Sequence, residues 1–205
     1  MKNNYINKIN EAEMLCFDNK IIDYHFLFNS LETINSLALS IGASEICKLT
    51  LALANMIRFI INDNQTSIIL KDEMDFVNEY LTIQSIRFNE NLTFEINSSH
   101  SMTKTICPKF LIQAIVSRVI YYYIEKNDMP SHIKITVEQI SNLVAVIIEN
   151  NLKEPLCCVF SKKELELFKK QILEITKLSK FDKRYDIEII DSNKTGITVK
   201  VELEA

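Results

Sequence analysis

The sequence predicts an α+β protein: a helical hairpin followed by a mixed sandwich with its helices on one face. Three observations carry this. Apolar residues recur at steps of three and four through the front third, strands alternating apolar and polar residues crowd toward the end, and helical patterns lie before and between those strands. The 205 residues suffice for one ordinary domain or two small ones, and 47% hydrophobic against 24% charged residues supplies a packed core.

Residues 5–41 carry the first helical period. Leu27, Leu31, Ile34, Ala38 and Ile41 form one stripe, and Phe17, Ile21, Tyr24, Phe28 and Leu31 an adjoining one, so the apolar face is wide, as in a bundle helix. Gly42 breaks the pattern and Ser44 is expected to cap the next helix. Ile46, Leu49, Leu53, Met56 and Ile60 repeat the spacing until Asn62-Asp63-Asn64 stops it. One hairpin cannot bury two wide faces, so a second copy is expected to complete a four-helix bundle, making the protein a homodimer.

The second domain, residues 65–205 after a hairpin domain of 1–64, begins with a short apolar run, Ser67 to Leu70. Lys71 to Phe88 reads as a helix and Leu92 to Ile96 as a strand. Pro108 is expected in the first turn of a helix reaching about Glu125, where its missing N–H costs little. After the turn Asp128-Met129-Pro130-Ser131, the alternation of Ile133, Ile135 and Val137 with Lys134, Thr136 and Glu138 marks a half-buried strand. Leu143 to Ile148 is continuously apolar, hence a central strand. Ser161 is expected to start a charged helix to about Leu178. Ile187 and Ile189 begin a further strand, and Ile197, Val199, Val201 and Leu203 mark the last one.

Composition excludes several functions. With 2 glycines and 3 prolines, a glycine-rich phosphate cradle cannot be built, which removes P-loop and dinucleotide fingerprints. A net charge of −4 leaves no broad basic field for nucleic acid. The 5 cysteines, Cys16, Cys47, Cys107, Cys157 and Cys158, contain no CxxC pair and read as reduced thiols. Without an apolar targeting segment or a run approaching ~20 apolar residues, the expectation is a cytoplasmic chain with no membrane span. His100, in a polar loop, and His132, opening a strand, lack ligand spacing to other donors, so no metal site is expected.

His25 lies on the polar edge of the first helix with Asp18, Asn29, Glu32 and Ser36, inside an arc about 60° wide at 100° per residue. By pattern alone it is either an ordinary solvated histidine or an imidazole nucleophile held by rigid helices.

Tyr24-His25-Phe26-Leu27-Phe28-Asn29-Ser30-Leu31 resembles the P-H-F-L-F-N-(S/T)-L signature of the LytS-type, autolysin-sensor type, family of sensor histidine kinases. Met56-Ile57-Arg58-Phe59 is similar to that family's L-L-R-Y. Ile69 to Met74 is similar to its V-x-L-x-E-E-(L/I), and Tyr80 to Gln84 with Arg87-Phe88 to its Y-L-x-I-(Q/E)-x-x-R-F. Pro108 to Gln113 is similar to its P-x-L-L-L-Q. The match spans roughly residues 20–150. It implies a dimerisation and phosphoacceptor hairpin followed by a Bergerat or GHKL-type ATPase-like sandwich. It puts His25 at the phosphoacceptor position, with Asn29 and Glu32 to orient it, although Tyr24 stands where the family has proline.

The departures concentrate where the family holds nucleotide. Its P-L-V-E-N-A-I-K-H-G run is replaced by Ala114 to Tyr123, with Ser117 and Arg118 at the acidic and asparagine positions that assist transfer and hold Mg²⁺. A guanidinium cannot ligate a hard cation. Against D-N-G-x-G this chain places Glu149, Asn150 and Asn151 without either glycine, and the glycine-rich phosphate lid has no counterpart. The resemblance therefore implies a degenerate member with no cofactor of its own. Tyr121-Tyr122-Tyr123 is expected to fill the former cavity with rings, the alternative being a contact patch, and Arg118 to snorkel or to pair with an acid such as Glu149.

The reading is a two-component protein that exchanges phosphoryl groups through His25 with a response-regulator receiver domain, which would supply Mg²⁺. The alternative is a pseudokinase module docking on a partner kinase or response regulator without chemistry. An active ATP-dependent kinase, or a fragment of a membrane sensor, are the remaining readings.

Overall fold

The computed structural model describes residues 24–61, 65–98, 104–152, 166–168, 170–171, 174, 185–192 and 196–204. The chain divides into two compact units, Met1–Leu51 and Ala52–Ala205. Asp18, Cys16, His100, Cys157, Cys158 and the start of the helix expected at Ser161 lie outside the described residues.

Helices α1 (Tyr24–Ser40) and α2 (Ser44–Ile61) follow one another through a tight turn. Gly42 sits there at φ 71, in the left-handed region. The Gly42 N–H donates to Leu39 O at 3.1 Å and the Ala43 N–H to Ala38 O at 2.9 Å. These are the paired bonds of a Schellman motif, which satisfy the last carbonyls of α1. The first bond of α2 runs from the Cys47 N–H to Ala43 O, so Ala43 occupies the cap position and Ser44 lies one residue inside, a correction to the expected Ser44 cap.

In α1, Leu31 and Ala38 are buried, whereas Ile34 and Ile41 of the same stripe are exposed. In α2 the buried side chains are the small ones, Cys47, Thr50, Ala52 and Ala54. Ile46, Leu53 and Ile60, three members of the expected seam, are exposed. Cys47 Sγ reaches Asn35 O at 3.9 Å, an approach that only a short side chain permits.

The second unit is built on a five-stranded sheet in the order β2-β4-β5-β7-β6. Its strands are β2 (Leu92–Ser98), β4 (Ser131–Ile140), β5 (Leu143–Leu152), β6 (Tyr185–Ser192) and β7 (Gly196–Glu204). β2 runs parallel to β4 and the remaining pairs are antiparallel. The continuous apolar run does become a central strand, β5, between β4 and β7. A separate two-stranded sheet pairs β1 (Ser67–Ile69) with β3 (Ile106–Pro108), Ile68 opposite Cys107. Helices α3 (Leu70–Phe88) and α4 (Leu111–Ile120) complete the unit.

A single buried cluster joins α3 (Leu70, Met74, Val77, Leu81) and α4 (Ile112, Ile115, Val116, Val119) to the inward residues of β4, β5 and β7. Inward and outward positions alternate along β4, with Ile133, Ile135 and Val137 fully buried. The opposite face carries ion pairs, Lys134 to Glu95 at 3.2 Å and Lys200 to Glu202 at 2.7 Å. One face dry and one face charged is what an antiparallel sheet with helices on a single side requires. Described positions between 166 and 174 are helical, and from them Phe168 joins the cluster.

Pro108 does not enter a helix. It ends β3, and α4 starts three residues later, after Phe110 at φ 65. Past Ile120 the helix widens into one π turn, Tyr121–Glu125, closed by the Lys126 N–H donating to Tyr121 O at 2.9 Å.

A Cβ on residue 42 would meet nothing within 4 Å, so the left-handed backbone alone selects glycine there. Gly42→Ala is expected to lower stability by about 1 kcal/mol and Gly42→Asn by less, measured by urea unfolding followed by helical circular dichroism.

Candidate functional site

His25, Asn29 and Glu32 occupy one edge of α1 and all three are exposed. The edge continues into a groove of about 520 Å³ lined by Asn29, Glu32, Thr33, Ser36, Leu37 and Ser40. Side-chain bonds from Ser30 to Phe26 O and from Thr33 to Asn29 O turn hydroxyls back onto the helix, leaving the groove rim to Asn29 and Glu32.

In the second unit the core of the site is Glu73, fully buried on α3. The Phe110 N–H donates to its Oε2 at 2.8 Å and the Gln113 N–H to its Oε1 at 3.1 Å. Phe110 is the cap residue of α4 and has no side-chain acceptor, so the first-turn donors of α4 are satisfied from another helix. Burial pushes the Glu73 carboxyl up from 4.5 to about 7, against the opposing effect of backbone N–H groups of Gln113, Phe110 and Ile112 and the charge of Lys109. Beside it the Cys107 thiol is also pushed up by burial.

Around this cap three rings close together. Phe59 stacks on Phe76 at 4.5 Å between centroids, and Phe110 meets Phe59 edge-on at 5.7 Å and Phe76 at 5.3 Å. Lys109 Nζ lies over Phe59 at 4.8 Å and over Phe110 at 5.1 Å, and donates to Phe59 O at 3.2 Å. Residues from four of the family-like motifs, Phe59, Glu73, Tyr80 and Phe110, thus fall into a structural joint and the cleft beside it.

Ser117 and Arg118 lie on α4 and line a cleft of about 430 Å³ with Tyr80, Gln113, Ala114, Tyr121 and Glu125. The Tyr80 hydroxyl is hydrogen-bonded with the side chains of Ser117 and Gln84. Glu125 is held by Arg87, Nη1 to Oε1 at 2.9 Å. Arg118 has no ion pair among the described residues. The expected Arg118–Glu149 pair does not form. Glu149 stands opposite Lys134 and Thr198, on the charged face of the sheet, whereas α4 covers the other face.

The side chain that β5 turns inward at that point is Asn150, one residue further on. It is buried, and neither its Nδ2 nor its Oδ1 has a hydrogen-bond partner. Strand alternation through Val144, Val146 and Ile148 carries that information, because Asn150 continues the inward series and Glu149 does not. Asn151 is exposed.

Tyr122 and Tyr123 are buried and Tyr121 is exposed. Three consecutive buried residues, Tyr122 to Ile124, would span about 200° on an α-helix, and the wider π turn brings them together. The Tyr122 ring meets Tyr123 at 6.1 Å and Phe168 at 6.2 Å, so rings fill this end of α4. His132 Nδ1 lies 2.9 Å from Thr93 Oγ1.

Sequence reasoning missed Glu73 as a cap, although a glutamate three and four residues before Phe76 and Val77, on an apolar stripe, was a visible signal. It also missed Asn150 and Phe168. For the ring of Phe168 no local signal exists.

A model described as histidine kinase matches residues 14–92. Sensor histidine kinase YesM of Bacillus subtilis is 30% identical over 143 residues, covering 70% of this chain and 25% of that protein. Sensor protein kinase HptS of Staphylococcus aureus is 24% identical over 128 residues, covering 62% of this chain and 24% of that protein. The chain therefore spans about a quarter of the length of the curated relatives it matches. Among solved structures, Acinetobacter baumannii histidine kinase AdeS aligns over 97% of this chain and 94% of its own, at 14% identity and a TM-score of 0.47. Among the described residues no helix is long and apolar enough to cross a membrane.

Because the native Glu73 carboxyl keeps its proton to about pH 7, its contribution to stability is fully present below pH 4.5 and is lost as pH rises through about 7. The difference is worth about 3 kcal/mol. Urea unfolding of wild type and Glu73→Gln between pH 4 and 8 is expected to show that fall in the wild type only; parallel pH profiles would refute it.

Proposed function

Since the chain belongs to the LytS-type family of sensor histidine kinases, we propose that it works in two-component signalling as a histidine phosphotransfer protein, with His25 as the group that carries the phosphoryl. The observation that carries this reading is the exposure of His25 on a regular helix whose edge runs on into the groove of Asn29, Glu32 and Ser36. An imidazole so placed is open to an acyl phosphate on a receiver-domain aspartate. The Nε2 or Nδ1 lone pair attacks phosphorus and the aspartate carboxylate leaves. The receiver supplies Mg²⁺, so this chain contributes only a nucleophile and a rigid helix to hold it. Asn29 and Glu32, one and two turns on, can orient the partner.

The second unit favours transfer over ATP-driven phosphorylation. Ser117 and Arg118 offer no carboxamide or carboxylate for a magnesium ion, and Tyr122, Tyr123 and Phe168 fill the adjoining space with rings.

A homodimer belongs to this proposal. Ile34 and Leu37 lie on α1 and are 45% and 64% exposed, and Ile41, in the turn just past its end, is 76% exposed, apolar surface that one chain leaves in water and a second copy would bury. Exposed Phe26, next to His25, gives the pseudokinase alternative its footing: a docking surface that acts by occupancy.

Incubation with a phosphorylated receiver domain is expected to label wild-type protein with acid-labile phosphate and to leave His25→Ala unlabelled. Equal labelling of the two, or none of either, removes the transfer reading; binding without labelling points to the docking module. Sedimentation equilibrium is expected to give a dimer for wild type and a monomer for Leu37→Asp.

A further inference from the structure

The cleft beside α4 contains a cation with nothing to hold. Arg118 is half-buried on a helix whose other inward residues are apolar, and no carboxylate among the described residues pairs with it. The one acid lining the cleft, Glu125, is already neutralised by Arg87 at 2.9 Å, so the local balance is one positive charge in excess. Hydroxyls of Tyr80 and Ser117 and the amide of Gln113 lie along the same wall, and the cleft measures about 430 Å³. Tyr121, 49% exposed, also lines it.

We propose that this cleft is a binding site for a phosphate monoester, taken up without a divalent cation. The guanidinium fork suits a tetrahedral oxyanion in a two-point contact, and the Ser117 and Tyr80 hydroxyls donate to the remaining oxygens once their mutual bond opens. Arginine here does by direct hydrogen bonding what a metal ion does by coordination, and a guanidinium repels a second cation rather than recruiting one. Tyr121 can stack on a ring carried by the ester. The site is independent of the His25 reading: it lies wholly within the second unit and needs no group transfer.

Titration by nuclear magnetic resonance with inorganic phosphate and with phenyl phosphate, in the presence of EDTA, tests it. Saturable binding of both is expected, with shifts confined to α4 and Tyr80, and Mg²⁺ in place of EDTA is expected to leave affinity unchanged. Arg118→Gln should weaken both ligands by about tenfold or more, the loss expected for a charge-assisted pair. Ser117→Ala, a change that leaves the packing of α4 intact, should weaken both several-fold. Tyr121→Ala should weaken phenyl phosphate alone. No saturable binding in EDTA, binding only with Mg²⁺, or equal affinity in wild type and Arg118→Gln would each overturn the proposal.

Discussion

The second unit turns on one buried carboxyl group, that of Glu73. Helix α4 begins at a phenylalanine in the left-handed region, the least suitable residue to cap it, and its opening donors point into the protein rather than into water. Left unsatisfied, each would cost about 1–3 kcal/mol. Glu73 reaches across from α3 and accepts from Phe110 and Gln113. That contact sets where α4 starts, and hence which residues of α4 face the sheet and which face the cleft. The ring cluster of Phe59, Phe76 and Phe110 surrounds it, and Lys109 closes the top. A left-handed non-glycine residue costs about 1–2 kcal/mol on its own; here the contacts of the Phe110 ring with Phe59 and Phe76 and the bond of its N–H to Glu73 offset it.

Much of the architecture was legible in the chain because it obeys simple periods. The three- and four-residue spacing of Met74, Val77 and Leu81 predicts α3, and the two-residue spacing of Ile197, Val199, Val201 and Leu203 predicts β7. What escaped was tertiary. Pro108 looked like a helix start because proline at the first turn is locally cheap, yet the true start is chosen by Glu73, 37 residues away along the chain. In a single chain the side chains of α2 withdrawn from water are the small ones, Cys47, Thr50, Ala52 and Ala54, and the larger Ile46, Leu53 and Ile60 of the expected seam stay exposed. At the site, His25, Asn29 and Glu32 were readable from helical phase. The shift from Glu149 to Asn150 needed strand alternation carried through to the end of β5, and the partnership of Tyr122 with Phe168 needed the fold itself.

The two units therefore tell different stories about the same ancestry. On α1 the imidazole and its polar edge are presented to water, as chemistry with a visiting partner demands. On α4, Ser117 and Arg118 present a hydroxyl and a guanidinium to the cleft, and rings occupy the helix end. The polar cleft of the second unit is small, and its lining carries one positive charge in excess.

The π turn at Tyr121–Glu125 has a consequence for descent as well as for packing. A helix widened by one residue over a single turn accommodates an insertion without disturbing what precedes it. A cousin lacking one tyrosine here would keep Ser117 and Arg118 in place but rotate the aromatic plug away from Phe168. Homologues straddling such an indel would align faithfully up to Ile120 and drift by one position afterwards, so that an open or a stoppered chamber could hinge on a single codon.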